Sequence, residues 1–561
     1  MRMLLILVGW GLSAAPAAAA GACAADFERQ AQATIHEFVD GQAFSGALLV
    51  AVDGKPILRQ AVGMANREWN IANTPDTKFR IGSVTKSFTA AAILQLAEQG
   101  KLSVDDLVSK HYANAPASWS KVTIKHLLTH TSGIPSYTSL PDFARVSRLP
   151  HTPDDLIKLI RDQPLEFEPG ARFAYDNTGY LLLGKIIETA SGQSYAEYLQ
   201  THIFKPLGMS DTGYDTNEAI LPKRAAGYAP RQDGWANATF TDMSTPFAAG
   251  ALYSTVDDLL IWEQALSAGK VLRPASTKAM FTDYGHKYGF GWLVDRKWER
   301  ERISHGGGVN GFAASLQRYP EDRVTAVALS NLQIGVSTKL ASDLAGLCLG
   351  ASSPREVTLP ASALDRYVGA YRVSEAATLQ VERDGARLQT RVTGQPKVPF
   401  YAKGDHAFFA RLVEAQLDFQ ATEKGEVTGV VLHQGGRDQT FARVDAAEAK
   451  GKDEALARRI ADRTPQSGGE AALRRVIGQL QAGRPDYAQM SPDLAAATRP
   501  QVPAVQTMLN KLGALQTLTF RGVGPAGADI YEAVFAGGKL EWRIMLNADG
   551  DIGTLFVRPA S

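Results

Sequence analysis

The apolar pattern of this chain changes period twice before residue 350, and that change limits the folds open to it. Residues 44 to 64 carry apolar and β-branched side chains around Asp53-Gly54, the signature of two strands joined by a tight turn. From Ser83 to Gln99 the spacing becomes helical, with Phe88, Ala92 and Leu96 on one face and Gly100 placed to end the helix. Further helices are expected over Asp154 to Arg161 and Gly179 to Leu199, and strands return over Tyr288 to Val294 and Arg323 to Leu329. Strands at both ends with helices between them imply a mixed α/β (α+β) unit: an antiparallel sheet closed by both chain ends, flanked by helices, with an inserted helical region.

No single core grows to serve 561 residues. The texture changes after Leu349, where Ala351-Ser352-Ser353-Pro354 reads as a boundary. Leu379 and Val381 alternate before Asp384-Gly385, and Leu388 and Val392 follow, a hairpin pattern that makes 360–445 a small all-β domain. A charged, alanine-rich stretch from Ala446 to Arg463 is expected to be helical and to be ended by Thr464-Pro465. The alternation of Leu540, Trp542, Ile544 and Leu546 then completes an α+β domain over 446–561. The largest domain is expected over 26–350. No repeat at solenoid period is present.

The net charge of +1, with no dense Lys/Arg block, gives no field to recruit nucleic acid. Residues 1–22 read as a cleaved signal peptide: Arg2, an apolar run from Leu4 to Leu12, then small residues from Ala14 to Ala20. The run is shorter than the roughly 20 residues a spanning helix needs, so the mature chain is expected to carry no integral span and to be periplasmic or extracellular. The only cysteines, Cys23 and Cys348, are far apart, and no disulfide framework is expected to hold the fold. Ala20-Gly21-Ala22 lacks the large aliphatic residue usual before a lipidated cysteine, so lipid anchoring at Cys23 is not expected.

A serine hydroxyl is a weak nucleophile and needs a base beside it. A lysine three positions later on a helix lies on the same face, one turn away. Ser83-Val84-Thr85-Lys86 has that spacing, at a helix N-terminus whose free N–H groups favour developing negative charge. Ser118 to Lys121 and Ser267 to Lys270 repeat the Ser-x-x-Lys spacing, but Ser118 follows Pro116 in a loop-like stretch and Ser267 adjoins Gly269. Tyr175-Asp176-Asn177 offers a phenol to shuttle a proton and an amide to hold a carbonyl and the lysine amine. Tyr112-Ala113-Asn114 matches as a bare triplet, but only the later one follows a Pro169-Gly170 turn and opens a helix. A phenol with its ordinary pKa near 10 is no base at neutral pH, so Lys86 is expected to stabilise phenolate character at Tyr175. His305-Gly306-Gly307-Gly308 supplies backbone that can approach a substrate closely and complete an oxyanion hole.

In this order the three elements resemble the serine beta-lactamase and penicillin-binding family. Longer segments carry the likeness towards the branch with class C beta-lactamases, carboxylesterases and D-amino-acid peptidases: Thr77 to Ser83, His126 to Gly133, Glu168 to Tyr180, Pro206-Leu207-Gly208-Met209 and Gly289-Phe290-Gly291-Trp292. The resemblance covers about residues 26 to 350. It implies that Ser83 is acylated, that Lys86 and Tyr175 share the proton work, that Asn177 and His305 contact substrate, and that the N–H groups of Ser83 and Gly308 bind the oxyanion. It implies no cofactor. His305 stands where beta-lactamases carry the lysine of Lys-Thr-Gly, and a neutral histidine holds a carboxylate less firmly. An ester, amide or D-amino-acid peptide is therefore the expected substrate, with beta-lactam turnover feeble. The other readings are a true beta-lactamase and a non-catalytic peptidoglycan-binding or interaction protein. Asp176 replaces the usual small residue and either points away from the cleft or influences Tyr175. His126 and His130 are one turn apart, but with no third ligand they are read as packing residues and no metal is expected. The all-β unit resembles a lipocalin-like appendage and the last unit is similar to small cone-shaped α+β domains; the two are candidates for a homodimer surface, a cap on the cleft or a contact with cell wall.

Overall fold

The computed structural model describes residue 23 and residues 25–559 apart from 141, 232–233, 352–355, 375–376, 394–396, 435–436, 525–526 and 548. The apolar leader over 1–22 and Ser352 to Pro354 of the expected boundary lie outside the described residues.

Six strands build the first sheet: β1 (Gly46–Val52), β2 (Lys55–Val62), β3 (Leu293–Lys297), β4 (Arg300–Val309), β5 (Phe312–Tyr319) and β6 (Val324–Ser330). Their order is β3-β4-β5-β6-β1-β2, antiparallel throughout. The two ends of this part of the chain meet at β1 and β6, from Gly46 opposite Ser330 to Val52 opposite Val324. Both strands are buried along their whole length because both faces of the sheet are covered. Leu48, Val50 and Val52 face α1 (Phe27–Asp40) and a later helix, Ser337–Cys348, whereas Ala47, Leu49 and Ala51 face the main helical core. That core holds α2 (Thr85–Glu98), α3 (Asn177–Ser191) and α4 (Val256–Ser267), and Ser337–Cys348 is α5.

Three expectations are corrected. Helix α2 is not apolar on one face only: Thr85 through Leu94 are all buried, so it runs through the middle of the core, with Phe88 stacked on Trp262 at 4.2 Å between ring centroids. Tyr288 to Trp292 is not strand. Gly291, at φ +77°, turns the backbone so tightly against the Lys86 carbonyl that a Cβ there would lie 2.6 Å from its oxygen, and pairing starts only at Leu293. Cys23 and Cys348 form a disulfide, because α1 and α5 pack side by side on the same face of the sheet. A cross-link spanning 325 residues restricts the unfolded chain strongly, so Cys348→Ser is expected to cost about 2–5 kcal/mol. Thermal melts of the variant, and of wild type with and without reductant, check this.

Eight strands then close an antiparallel barrel: β7 (Gly369–Arg372), β8 (Thr378–Asp384), β9 (Arg387–Val392), β10 (Val398–Gly404), β11 (Ala407–Ala410), β12 (Ala415–Ala421), β13 (Val427–Gln434) and β14 (Arg437–Val444). Its interior is filled by Tyr367, Tyr371, Phe400, Phe408, Phe419 and Phe441. Arg411 fastens the barrel to α1 by pairing with Glu37, and Lys297 of β3 reaches Glu414 at 2.8 Å. Helix α6 (Ala446–Ala461) leads on to α7 (Gly469–Gln481), α8 (Val502–Leu512) and a four-stranded meander, β15 (Leu515–Val523), β16 (Asp529–Phe535), β17 (Gly538–Leu546) and β18 (Ile552–Pro559). Leu540, Trp542, Ile544 and Leu546 are the buried set of β17, as their alternation requires. Among the described residues no helix is long and apolar enough to cross a membrane.

Candidate active site

Ser83 sits in a single 3-10 turn, Gly82–Val84, that feeds directly into α2. Lys86 follows in the first helical turn and is fully buried. Its Nζ lies 3.1 Å from Ser83 Oγ, 2.8 Å from Asn177 Oδ1 and 2.9 Å from the Ala249 carbonyl oxygen. The last two can only accept, so a neutral Lys86 amine donates both of its N–H groups to them. Its lone pair is then left for the Ser83 hydroxyl proton. Burial pushes the Lys86 ammonium down to about 7, partly opposed by the Asp176 carboxylate.

Asn177 opens α3, and its amide nitrogen also donates to Thr138 Oγ1 at 3.2 Å. Asp176 is the N-cap of that helix. Its two carboxylate oxygens accept from the Thr178 N–H at 2.7 Å and the Gly179 N–H at 2.9 Å. The side chain is therefore turned into α3 and not into the cleft, while burial still pushes its carboxyl up to about 7 against those two donors.

Tyr175 brings a phenol from the other side. The residue as a whole is 42% exposed and lines the cavity, and its ring lies on the His130 ring at 4.3 Å between centroids, with Lys86 Nζ 4.9 Å from its own centroid. The expected phenolate character is corrected: burial of the hydroxyl drives its pKa upward, and the hydrogen bond to Ser83 draws it only partly back. Tyr175 is a neutral phenol at physiological pH, able to give a proton, and Lys86 is the stronger base of the pair.

The fourth wall is β4. Val309 and Phe312 flank a two-residue turn and form a hydrogen-bonded pair, so alternation along the ladder turns the N–H groups of Gly306 and Gly308 away from β5. Strand β3 pairs no further than Ser304, which leaves those groups facing the Ser83 turn. The approach is close enough that a Cβ on Gly307 would lie 1.9 Å from the Ile81 carbonyl oxygen and 3.0 Å from the Ser83 nitrogen. A cavity of about 340 Å³ opens in front of Ser83, walled by Phe173, Tyr175, Tyr288, Leu293, His305 and the Gly306 to Gly308 backbone.

The structure thus brings Ser83, Lys86, Tyr175, Asn177, His305 and Gly308 together. The competing triplets lie elsewhere: Ser118 is in a 3-10 turn, Ser267 donates to Glu263 at 2.6 Å, and Tyr112 donates to Asp154 at 2.9 Å. His126 and His130 do not converge. His126 Nδ1 accepts from the Thr123 N–H in a helix cap, whereas His130 is buried and reaches Tyr288 Oη at 3.2 Å. Three contributors were not singled out from sequence. Tyr288 was hidden in an expected strand, Phe173 gave no signal of its own, and the Ala249 carbonyl belongs to backbone that no side-chain motif marks.

A base that must be neutral to act gives a rate that rises with pH. The kcat/KM profile is expected to climb about tenfold per pH unit below about 7 and to level off above about 8, the limb belonging to Lys86. A flat profile between pH about 5 and 8 would remove Lys86 as the base.

The family model described as Beta-lactamase matches residues 31–347, and one described as a domain of unknown function matches 353–447. Penicillin-binding protein 4* of Bacillus subtilis is 28% identical over 431 residues, 71% of this chain and 94% of that protein. Among solved structures, the octameric penicillin-binding protein homologue from Pyrococcus abyssi matches at a TM-score of 0.57 and 27% identity, over 74% of this chain and 99% of that one. The D-amino acid amidase from Ochrobactrum anthropi SV3 matches at 0.53 and 25%, over 59% of this chain and all of its own, 100%. The sheet and helices that gather the site residues fall inside the matched segment, which spans more than half of the sequence, and the chain belongs to the beta-lactamase family.

Proposed function

We propose that this serine hydrolase cleaves a small ester, amide or D-amino-acid-containing peptide through a covalent acyl-serine intermediate on Ser83. The observation that carries the reading is the Lys86 amine, buried and 3.1 Å from Ser83 Oγ with its other partners acceptors only. Lys86 takes the hydroxyl proton as Ser83 Oγ bonds to the acyl carbon, and the N–H groups of Ser83 and Gly308 take up the charge on the carbonyl oxygen. Tyr175 gives its proton to the leaving group and stands as a phenolate beside the Lys86 ammonium while Ser83 is acylated, so that it can take the proton of the attacking water as Lys86 returns its own to Ser83 Oγ. Water then attacks the acyl-serine by the same groups in reverse. The likeness to a D-amino acid amidase supports the substrate class. The absence of any lysine or arginine among the residues walling the cavity supports feeble action on beta-lactams, whose carboxylate then has no cation to meet.

A fluorophosphonate probe with peptide mapping tests the reading. One adduct, on Ser83, is expected. An unlabelled protein, or an adduct on Ser118 or Ser267 instead, would refute it. Nitrocefin turnover within the usual enzyme range of roughly 10 to 1,000 per second would show a true beta-lactamase. We further propose that the chain works outside the cytoplasm, as the leader-like residues 1–22 and the Cys23–Cys348 disulfide both suit an oxidising compartment.

A further inference from the structure

Three residues in and behind the cavity wall take no part in the proton transfers: His305 and Tyr288, which line it, and the buried His130. They are joined to one another. His130 Nδ1 accepts from the Asp176 N–H at 3.0 Å, so its proton is on Nε2, which donates to Tyr288 Oη at 3.2 Å. Tyr288 is then free to donate its own proton to His305 Nε2 at 3.0 Å. That places the His305 proton on Nδ1, which donates to the Gly306 carbonyl at 2.5 Å. Every donor in the row has an acceptor, and each histidine has one tautomer that fits.

We propose that this row of hydrogen bonds makes the cleft select acyl substrates with no anionic group on the His305 side of Ser83, with Tyr288 and His130 as the positioning residues that set the selectivity. The proposal rests on the hydrolase reading above. His305 is 3% exposed and walls the cavity, yet neither ring nitrogen is left for a ligand. The groups facing it are Lys86 of α2, Tyr175 and, behind Tyr288, His130 and Tyr180. Asp176, whose carboxylate acts on Lys86 and Tyr175, is turned into α3. Burial, with the Lys86 charge added, pushes His305 down to about 3, so the ring is neutral wherever the enzyme works. A carboxylate entering there loses its water and finds neither charge nor free donor on the imidazole ring. An uncharged amide or ester loses much less.

Two matched pairs of substrates test this, with the charge on the acyl side in one and on the leaving side in the other: p-nitrophenyl hemisuccinate against the succinamate, and 3-acetoxybenzoate against 3-acetoxybenzamide. In wild type at least one pair should favour its neutral member by about tenfold or more in kcat/KM, at a ratio constant between pH about 5.5 and 8. Lys86 titrates within that window but affects both members alike. In Tyr288→Phe the Nε2 of His305 loses its donor and, still neutral through burial and the Lys86 charge, is left as a free acceptor at the cavity wall, so the carboxamide members, which can donate to it, should gain on their carboxylates and the ratio should rise by about threefold or more. A wild-type ratio near one in both pairs, or a Tyr288→Phe ratio no higher than that of wild type, overturns the proposal while fluorophosphonate labelling of Ser83 still stands. Absence of that labelling overturns the hydrolase reading instead. Should Tyr288→Phe not fold, histidine ¹⁵N spectra of wild type decide. Nδ1–H at His305 and Nε2–H at His130, neither titrating between pH about 5 and 8, are expected, and titration of either ring sinks the idea.

Discussion

Alanine at Ser83 should lower kcat/KM by about 10⁴ to 10⁶, and methionine at Lys86 by nearly as much. The two losses should not add. Ser83 Oγ is nucleophilic only while the amine 3.1 Å away can take its proton, and the amine has no other hydroxyl to serve: its remaining partners, Asn177 Oδ1 and the Ala249 carbonyl, hold no proton to give. The double variant should therefore be no slower than Ser83→Ala alone, because groups that act as a unit are lost as a unit. What survives in all three proteins is the binding of substrate and whatever the backbone N–H groups contribute. Steady-state kinetics on one good ester, with thermal melts to show that each variant is folded, measure this. If Lys86→Met lost less than about tenfold, the proton would be going to Tyr175, and the base assignment drawn from burial would be wrong.

Much of this was legible in the chain itself, and what was not has physical reasons. The hairpin at Asp53-Gly54 and the return of strands near residue 324 foretold a sheet closed by both chain ends, since period-2 patterning and turn chemistry are local signals. The Ser83 to Lys86 spacing was local too. Tyr288 was not legible, because a glycine-and-aromatic run around a left-handed turn has the same composition as a buried strand. The partnership of Cys23 with Cys348, 325 residues away, depends on α1 and α5 packing on one face, which no spacing records. The phenolate expected at Tyr175 failed for a related reason: charge neighbours can be guessed from motif order, but burial of a hydroxyl cannot, and here burial outweighs the nearby amine. Asp176 is the reverse case. An Asp two residues before Thr178 and three before Gly179 is an N-cap by its chemistry, and its side chain does that and stays out of the cleft.

Alanine at Gly307 should cost about 10² to 10³ in kcat, the scale of losing one oxyanion donor, although it adds a single methyl to a residue with no side-chain chemistry. The new Cβ would stand 1.9 Å from the Ile81 carbonyl oxygen and 3.0 Å from the Ser83 nitrogen, and both obstacles are backbone. Neither can rotate aside. Strand β4 and the Ser83 turn would have to separate by more than an ångström, and the two N–H groups aimed at one carbonyl oxygen would part with them. Since the strain falls on the charge-stabilising donors and not on the apolar walls of the cavity, the loss should appear in kcat with KM changed little. Gly308 is the control within the same strand. A Cβ there meets nothing within 4 Å and the N–H is retained, so Gly308→Ala should cost less than about tenfold and act through KM as the cleft narrows. Equal losses at the two positions would mean that these glycines give room to the substrate and not closeness to Ser83, and the oxyanion role of the strand would have to be abandoned.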